Sequence, residues 1–263
     1  MTVLVAVPYH VSTAPFVERT VRSVLAQTHE DLVCVVIGDG AEPPLSHIRD
    51  DRLIVHSYPV NRGVYFAQDV AIWSSPFEWY AIVASDDWVD PDHVDRLLSH
   101  DADMACGALW AHGEGEGYCG PDNRDHAACR GTLVRKAYEV GIYRTETYRR
   151  IGAHNPGERI GQDSLTLAVM RLVGPVGGTN HPTYNRRFRP GSLCTSPETA
   201  NGSPARTAMR LRNRDVYLRC KRLGSPEAIR AYRDSLVKPA LRDALSIEVE
   251  ALRVKVGGQA VAA

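Results

Sequence analysis

Short apolar runs alternate with stretches of helical periodicity through the first hundred residues of the chain. Residues 3–7 (VLVAV) are continuously apolar and stop at Pro8, the pattern of a strand buried on both faces. Residues 32–37 repeat that pattern and break sharply at Gly38-Asp39-Gly40, and residues 53–58, 79–84 and 104–110 read as further strands. Between the first two runs, Phe16, Val17, Val21, Val24 and Leu25 share one helical face, with Ser12 or Thr13 placed to cap that helix. A second helix passes through Phe66, Ala67, Val70 and Ala71. Asp90-Pro91 predicts a third, with Asp90 as cap and Pro91 at its first position. Such strand–helix alternation predicts an α/β fold with a doubly wound parallel sheet over residues 1–100.

The pattern loosens afterwards. Residues 113–131 form a long loop rich in Gly, Asp and His, of a length that usually carries function. A helix is expected from about Asp163 to Leu172, then a turn-rich segment, GPVGGTNHPTYNRRFRPGS. From Pro204 onward the pattern is helical, with a restart at Ser225-Pro226 and a kink or division at Pro239. Val256 and the GGQAVAA after it are expected to fray. This divides the chain into 1–100, 101–200 and a helical 201–263.

Composition narrows the function classes. With 44% hydrophobic and 24% charged residues, the 263-residue chain has the make-up of a globular protein, not a disordered one. Lys+Arg and Asp+Glu both number 31, so charge alone calls for no nucleic-acid partner. The first ten residues read as a strand, no apolar run is long enough for a membrane span, and the six scattered cysteines suit reduced thiols. A cytoplasmic location follows as an expectation.

In a doubly wound sheet, ligands bind beyond the carboxyl ends of the strands. Here Pro8-Tyr9, Asp39, Asn61-Arg62-Gly63 and Asp86-Asp87 follow four successive strands. Any one of these is an ordinary turn or cap; their joint occurrence marks a rim. Two adjacent carboxylates repel, and a hard divalent cation, Mg²⁺ or Mn²⁺ held with substrate phosphates, relieves that cost. The competing reading is an acidic turn. Arg186, Arg187 and Arg189, beside Tyr184 and His181, form a cluster suited to a diphosphate, or else a solvated basic strand. His112, Cys119, His126 and Cys129 have no recognised zinc spacing.

Taken in order, VAVPYH, FVERTVRSVLAQTH, VCVVIGDG, NRGVYFAQDVA and IVASDDWVDPDHV resemble family-two glycosyltransferases with the GT-A fold. GIYRTETYRRIGAHNP, GQDSLTLAVMRLVG and YNRRFRPGSL continue the likeness, which covers roughly residues 3–194. The resemblance implies a Rossmann-like, mostly parallel sheet with helices on both faces, followed by a C-terminal helical extension. By that resemblance Pro8, Tyr9, Asp39, Asn61 and Gly63 belong to the donor site, with Asp39 on the uracil base. Asp86 and Asp87 hold ribose and the diphosphate-bound Mn²⁺ or Mg²⁺, and Arg186, Arg187 and Arg189 face the diphosphate. Asp163 corresponds to the general base of inverting members. The family's usual acids at two positions are replaced, by Ala84 and Gln162.

The expectation is thus a metal-dependent inverting glycosyltransferase using a nucleotide sugar, UDP-linked by preference, with the C-terminal helices as a candidate surface for self-association. Rivals are a non-catalytic nucleotide-sugar or glycan-binding protein on the same scaffold, and a nucleotidyltransferase. The second lacks its glycine-rich phosphate loop with lysine in VPYHVSTAP, and no GxGxxG follows the first strand to suggest a dehydrogenase.

Overall fold

The computed structural model describes residues 1–112, 117–119, 141–200 and 202–260. Its strands are β1 (Val3–Tyr9), β2 (Leu32–Asp39), β3 (Leu53–Tyr58), β4 (Trp79–Ile82), β5 (Trp88–Val89), β6 (Met104–His112), β7 (Gly117–Cys119), β8 (Gly141–Arg144) and β9 (Val176–Arg187). The helices are α1 (Val17–Leu25), α2 (Val64–Ser74), α3 (His93–Leu98), α4 (Thr145–Arg150), α5 (Gln162–Val173), α6 (Pro204–Leu223), α7 (Pro226–Ser235) and α8 (Pro239–Ala260). One sheet runs β3-β2-β1-β4-β8-β6-β9-β5, with β7 paired to β6. The β3-β2-β1-β4 half is parallel, β8 runs antiparallel to both β4 and β6, and β9 lies parallel to β6.

Every residue of β1 and β2 is buried because alternate side chains enter two different cores. Val3, Val5, Val7, Cys34 and Val36 pack with Val17 and Val21 of α1 and Val94 and Leu97 of α3. Leu4, Ala6, Val33, Val35 and Ile37 face α2, α4 and α5 on the other side. Cys220, Ile229, Leu252 and Val256 share this second core, so α6, α7 and α8 build on it directly. His56 Nε2 lies 2.9 Å from Glu248 Oε2, and Lys255 Nζ donates to Val55 O at 3.0 Å, holding α8 along β3. Among the described residues, no helix is long and apolar enough to cross a membrane.

Longer-range contacts overrule several local signals. The turn-rich segment after α5 is largely a strand: its Pro182 sits opposite Ala108 where the β6–β9 register shifts, so the missing N–H costs no ladder bond. The fourth run stops as a strand at Ile82, not residue 84. Ser12 and Thr13 do not cap α1. They lie in a short 3-10 turn capped by His10, and α1 starts at Val17. Asp90 caps nothing either: its Oδ1 accepts from Asn185 Nδ2 at 2.9 Å, and α3 starts at His93 with Asp92 before it. The tail does not fray at Val256, which is fully buried, and α8 continues to Ala260. Pro239 divides α7 from α8 as expected.

Candidate active site

Parallel pairing brings the four strand exits to one rim, with Tyr9 beside Gly38 and Asp39 beside Tyr58. Pro8 and Tyr9 are buried there, so they offer the rim little side-chain surface. Asp39, 5% exposed, accepts from the backbone N–H of Arg62 at 2.6 Å and of Gly63 at 2.8 Å. Asn61 Oδ1 accepts from the same Gly63 N–H at 3.1 Å. A Cβ on Gly40, whose φ is +78°, would lie 2.7 Å from Asn61 N, so only glycine lets the end of β2 close on this loop. Asp39 therefore organises the loop that opens α2.

The paired acids separate in role. Asp87 points inward: its Oδ2 accepts from the Tyr184 hydroxyl at 2.8 Å and its Oδ1 from the Arg187 N–H at 2.7 Å. Burial, helped by the Asp86 charge, pushes the Asp87 carboxyl up to about 7. Burial likewise holds the Tyr184 phenol well above its ordinary value, keeping it a donor. Asp86 faces the rim and takes Arg189 Nε on Oδ2 at 2.7 Å, both side chains being mostly covered. Thr13 Oγ1, 2.9 Å from Ser85 Oγ, ties the exit of β1 to this turn. Both Asp87 oxygens already accept a bond from buried or half-buried donors, whereas Asp86 keeps Oδ1 without a protein donor among the described residues. Asp86 is thus the better placed of the two to hold a cation. One carboxylate suits Mg²⁺ or Mn²⁺, which complete their shells with phosphates and water. Among the described residues, no group of three His, Cys, Asp or Glu forms a metal cage.

Asp163 stands in the first turn of α5, behind Gly161 at φ +78°. A Cβ on Gly161 would run into Met209 Sδ of α6, so the entry into α5 is shaped for glycine. Asp163 Oδ1 accepts from the Tyr65 hydroxyl at 2.9 Å. Gln162 turns the other way and accepts from Asn155 N–H at 3.0 Å. Arg186 lies near the end of β9. Burial opposes its charge, but Cys194, Asp87, Tyr184 and Asp163 together outweigh it, so its pKa stays above the usual arginine value. Its Nη2 also donates to Cys194 Sγ at 2.8 Å. Arg187 lies over Phe16 and Trp88, 4.6 and 5.3 Å from the ring centres.

The family model "Glycosyl transferase family 2" matches residues 4–171, well over half the chain. The chain belongs to glycosyl transferase family 2. Among relatives, the glycosyltransferase GlyA of Streptococcus pneumoniae is 26% identical over 126 residues, covering 44% of this chain and 18% of GlyA. The glucosyl-dolichyl phosphate glucuronosyltransferase of Haloferax volcanii is 29% identical over 85 residues, covering 30% of this chain and 27% of that enzyme. The match thus spans less than a third of either relative's length. The structure of S. aureus TarS 1–349 in complex with UDP-GlcNAc superposes with a TM-score of 0.59 at 17% identity, covering 100% of this chain and 92% of that one. A likeness at that identity establishes the GT-A fold.

Set in this family-2 fold, Asp39, Asn61 and Gly63 form one cluster, and Asp86, Asp87, Arg186, Arg187 and Arg189 a second. Asp163 bonds Tyr65, and its charge is among those that favour the charged form of Arg186. His181 is exposed and apart. His112 Nε2 lies 3.0 Å from Asn185 Oδ1, while His126, Cys129 and the Cys119 side chain lie outside the described residues, as does most of the 113–131 loop. Sequence reasoning missed Tyr65, which bonds Asp163, and set Tyr184 beside the arginines without its bond to Asp87. Tyr65 carried a faint signal, a polar-tipped aromatic two residues beyond the Gly63 loop; Tyr184 meets an acid about a hundred residues away, and that bond carried none.

Proposed function

We propose that this family-2 chain transfers a sugar from a UDP-linked donor to an acceptor hydroxyl, with inversion at the anomeric carbon. The observation that carries the reading is the pair Asp86 and Asp87 beyond β4, bonded by Arg189 and by the Arg187 N–H, at the place where an α/β sheet binds its ligands, with Asp163 in the first turn of α5. The uracil assignment draws on Asp39, whose two oxygens keep acceptor capacity beyond the Arg62 and Gly63 N–H groups, and on the neighbours in the TarS group, which were solved with UDP and with UDP-GlcNAc.

In this mechanism the nucleotide lies along the rim between Asp39 and Asp86. The acceptor oxygen attacks the anomeric carbon as the bond to the diphosphate breaks, and its proton passes to Asp163, whose Oδ2 has no partner among the described residues. Arg186, Arg187 and Arg189 offset the charge that grows on the departing diphosphate. Asp86 would hold Mg²⁺ or Mn²⁺, which supplies further charge neutralisation at the diphosphate when bound. Arg189 holds Asp86 Oδ2 at 2.7 Å, and Oδ1 is the oxygen that would be left to a cation.

Melting curves with UDP, UDP-glucose, UDP-GlcNAc and UDP-glucuronate, each with and without Mn²⁺, test this reading. A ligand at a hundred times its Kd stabilises the native state by about 2.7 kcal/mol, several degrees for a chain of this size. A Mn²⁺-dependent rise with UDP and at least one UDP-sugar is expected. No shift with any of them would remove the proposal.

A further inference from the structure

The first turn of α2 carries an aromatic side chain whose hydroxyl reaches another helix. Tyr65 is 5% exposed, and its hydroxyl donates to Asp163 Oδ1 at 2.9 Å, joining two helices that are far apart in sequence. If Asp163 is the general base of the reading above, only one of its oxygens needs to meet the acceptor proton. The other must be fixed, because a carboxylate free to rotate about χ2 presents its lone pairs to the acceptor only part of the time.

The phenol is itself braced. Its ring lies 5.1 Å from the His154 imidazole, at an interplanar angle of 35°. His154 is held at both nitrogens: Nδ1 is 2.8 Å from Asp69 Oδ1, and Nε2 is 2.8 Å from the Tyr148 hydroxyl. Its backbone N–H also donates to Asp69 Oδ1, at 3.2 Å. Asp69, Tyr148 and His154 are each at most 2% exposed. Buried polar groups with every partner in place are rigid, because each alternative orientation strands a donor or acceptor away from water.

His154 lies on the loop that leads into α5, and the preceding residue, Ala153, adopts a left-handed φ of +46° with its carbonyl bonded by Thr166 Oγ1 of α5 at 3.0 Å. One buried imidazole therefore registers both the Tyr65 ring and the entry to the helix that carries Asp163. We propose that Tyr65 is a positioning residue for the base: braced by the Tyr148–His154–Asp69 chain, it pins Asp163 Oδ1 and so aims Oδ2 at the acceptor hydroxyl. The inference rests on the reading of Asp163 as general base.

The test is a double-mutant cycle of Tyr65→Phe and Asp163→Asn on the full chain, following UDP release from UDP-GlcNAc with Mn²⁺, together with UDP affinity and melting temperature. Tyr65→Phe keeps the ring against His154 and removes only the hydroxyl. A hydrogen bond to a charged group predicts a fall in kcat of about ten- to a hundred-fold, with the donor KM and the UDP Kd changed by less than about two-fold. In the Asp163→Asn background the same change should cost nothing further, since there is no base left to aim. Wild-type kcat in Tyr65→Phe, or an equal loss in both backgrounds, overturns the inference and leaves Tyr65 as a tie between α2 and α5. The functional reading fails differently: no UDP release by the unmutated chain, or wild-type release by Asp163→Asn, removes the base and the inference with it.

Discussion

Replacing Asp86 and Asp87 one at a time should separate ligand binding from folding. Asp87→Ala removes the acceptor of the buried Tyr184 hydroxyl and the half-buried Arg187 N–H, and each stranded donor costs up to about 1–3 kcal/mol. Against that stands the cost of the acid itself. Its carboxyl titrates at about 7 in the folded chain and near 3.8 unfolded. Because the folded value is the raised one, Asp87 contributes its full stability only below pH 3.8. It loses that contribution progressively up to pH 7, by about 4 kcal/mol in all. The penalty of Asp87→Ala is therefore larger at pH 5 than at pH 8. At pH 5 the offset is about 1.6 kcal/mol, so about 0.5–4.5 kcal/mol remains; the midpoint, about 2.5 kcal/mol, lowers the melting temperature by about 5–10 °C.

Asp86→Ala removes a carboxylate on the rim and frees Arg189, leaving the Tyr184–Asp87–Arg187 linkage whole. Its melting temperature should stay within about 3 °C of wild type. Its Mn²⁺-dependent affinity for UDP should fall by at least about tenfold, the loss of one contact of the cation. Melting curves in EDTA at both pH values, with calorimetric titration of UDP in Mn²⁺, decide between the two roles. The reasoning is refuted if Asp87→Ala melts like wild type at pH 5 while abolishing Mn²⁺-dependent UDP binding.

Other consequences follow from single contacts. His93 is buried with Nδ1 2.7 Å from Thr183 Oγ1, and burial lowers its pKa to about 4. The folded chain therefore resists protonation between about pH 6.5 and 4, and loses about 3 kcal/mol across that window as pH falls. In denaturant titrations His93→Gln should lose that much less than wild type over the same interval; parallel losses would refute the assignment. Because Asp39 already accepts two backbone N–H bonds, a base lacking N3–H leaves no bare carboxylate. UDP should then outbind CDP by only about 0.5–1.5 kcal/mol, one net hydrogen bond. Equal affinities in calorimetry would show that Asp39 serves the loop alone.

Much of this architecture was legible because burial on both faces leaves a plain trace. β1 and β2 are unbroken apolar runs, and the polar residues at their ends can only lie on the rim. β9 was not legible: its glycines and Pro182 are turn signals by local propensity, and only the register shift against β6 makes them tolerable in a strand. The same blindness left Asp86 and Asp87 equivalent in the sequence. What distinguishes them is Tyr184, carried in by β9, the strand that local signals hid. Ser12, Thr13 and Asp90 are good helix caps in isolation, yet Thr13 and Asp90 spend their oxygens on Ser85 and Asn185, contacts that no local window contains.

Asp163 is proposed to take the acceptor's proton in a sugar transfer, and the Asp163→Asn variant removes that ability alone. Asparagine keeps the size of the side chain and an acceptor for the Tyr65 hydroxyl, but it cannot take a proton from the acceptor. UDP affinity in Mn²⁺ should stay within about two-fold of wild type, while turnover of the UDP-sugar drops by about 10²–10⁴-fold, the usual contribution of general base catalysis. Turnover equal to wild type, with UDP bound normally, would contradict the account and leave Asp163 as an acid that merely opens a helix.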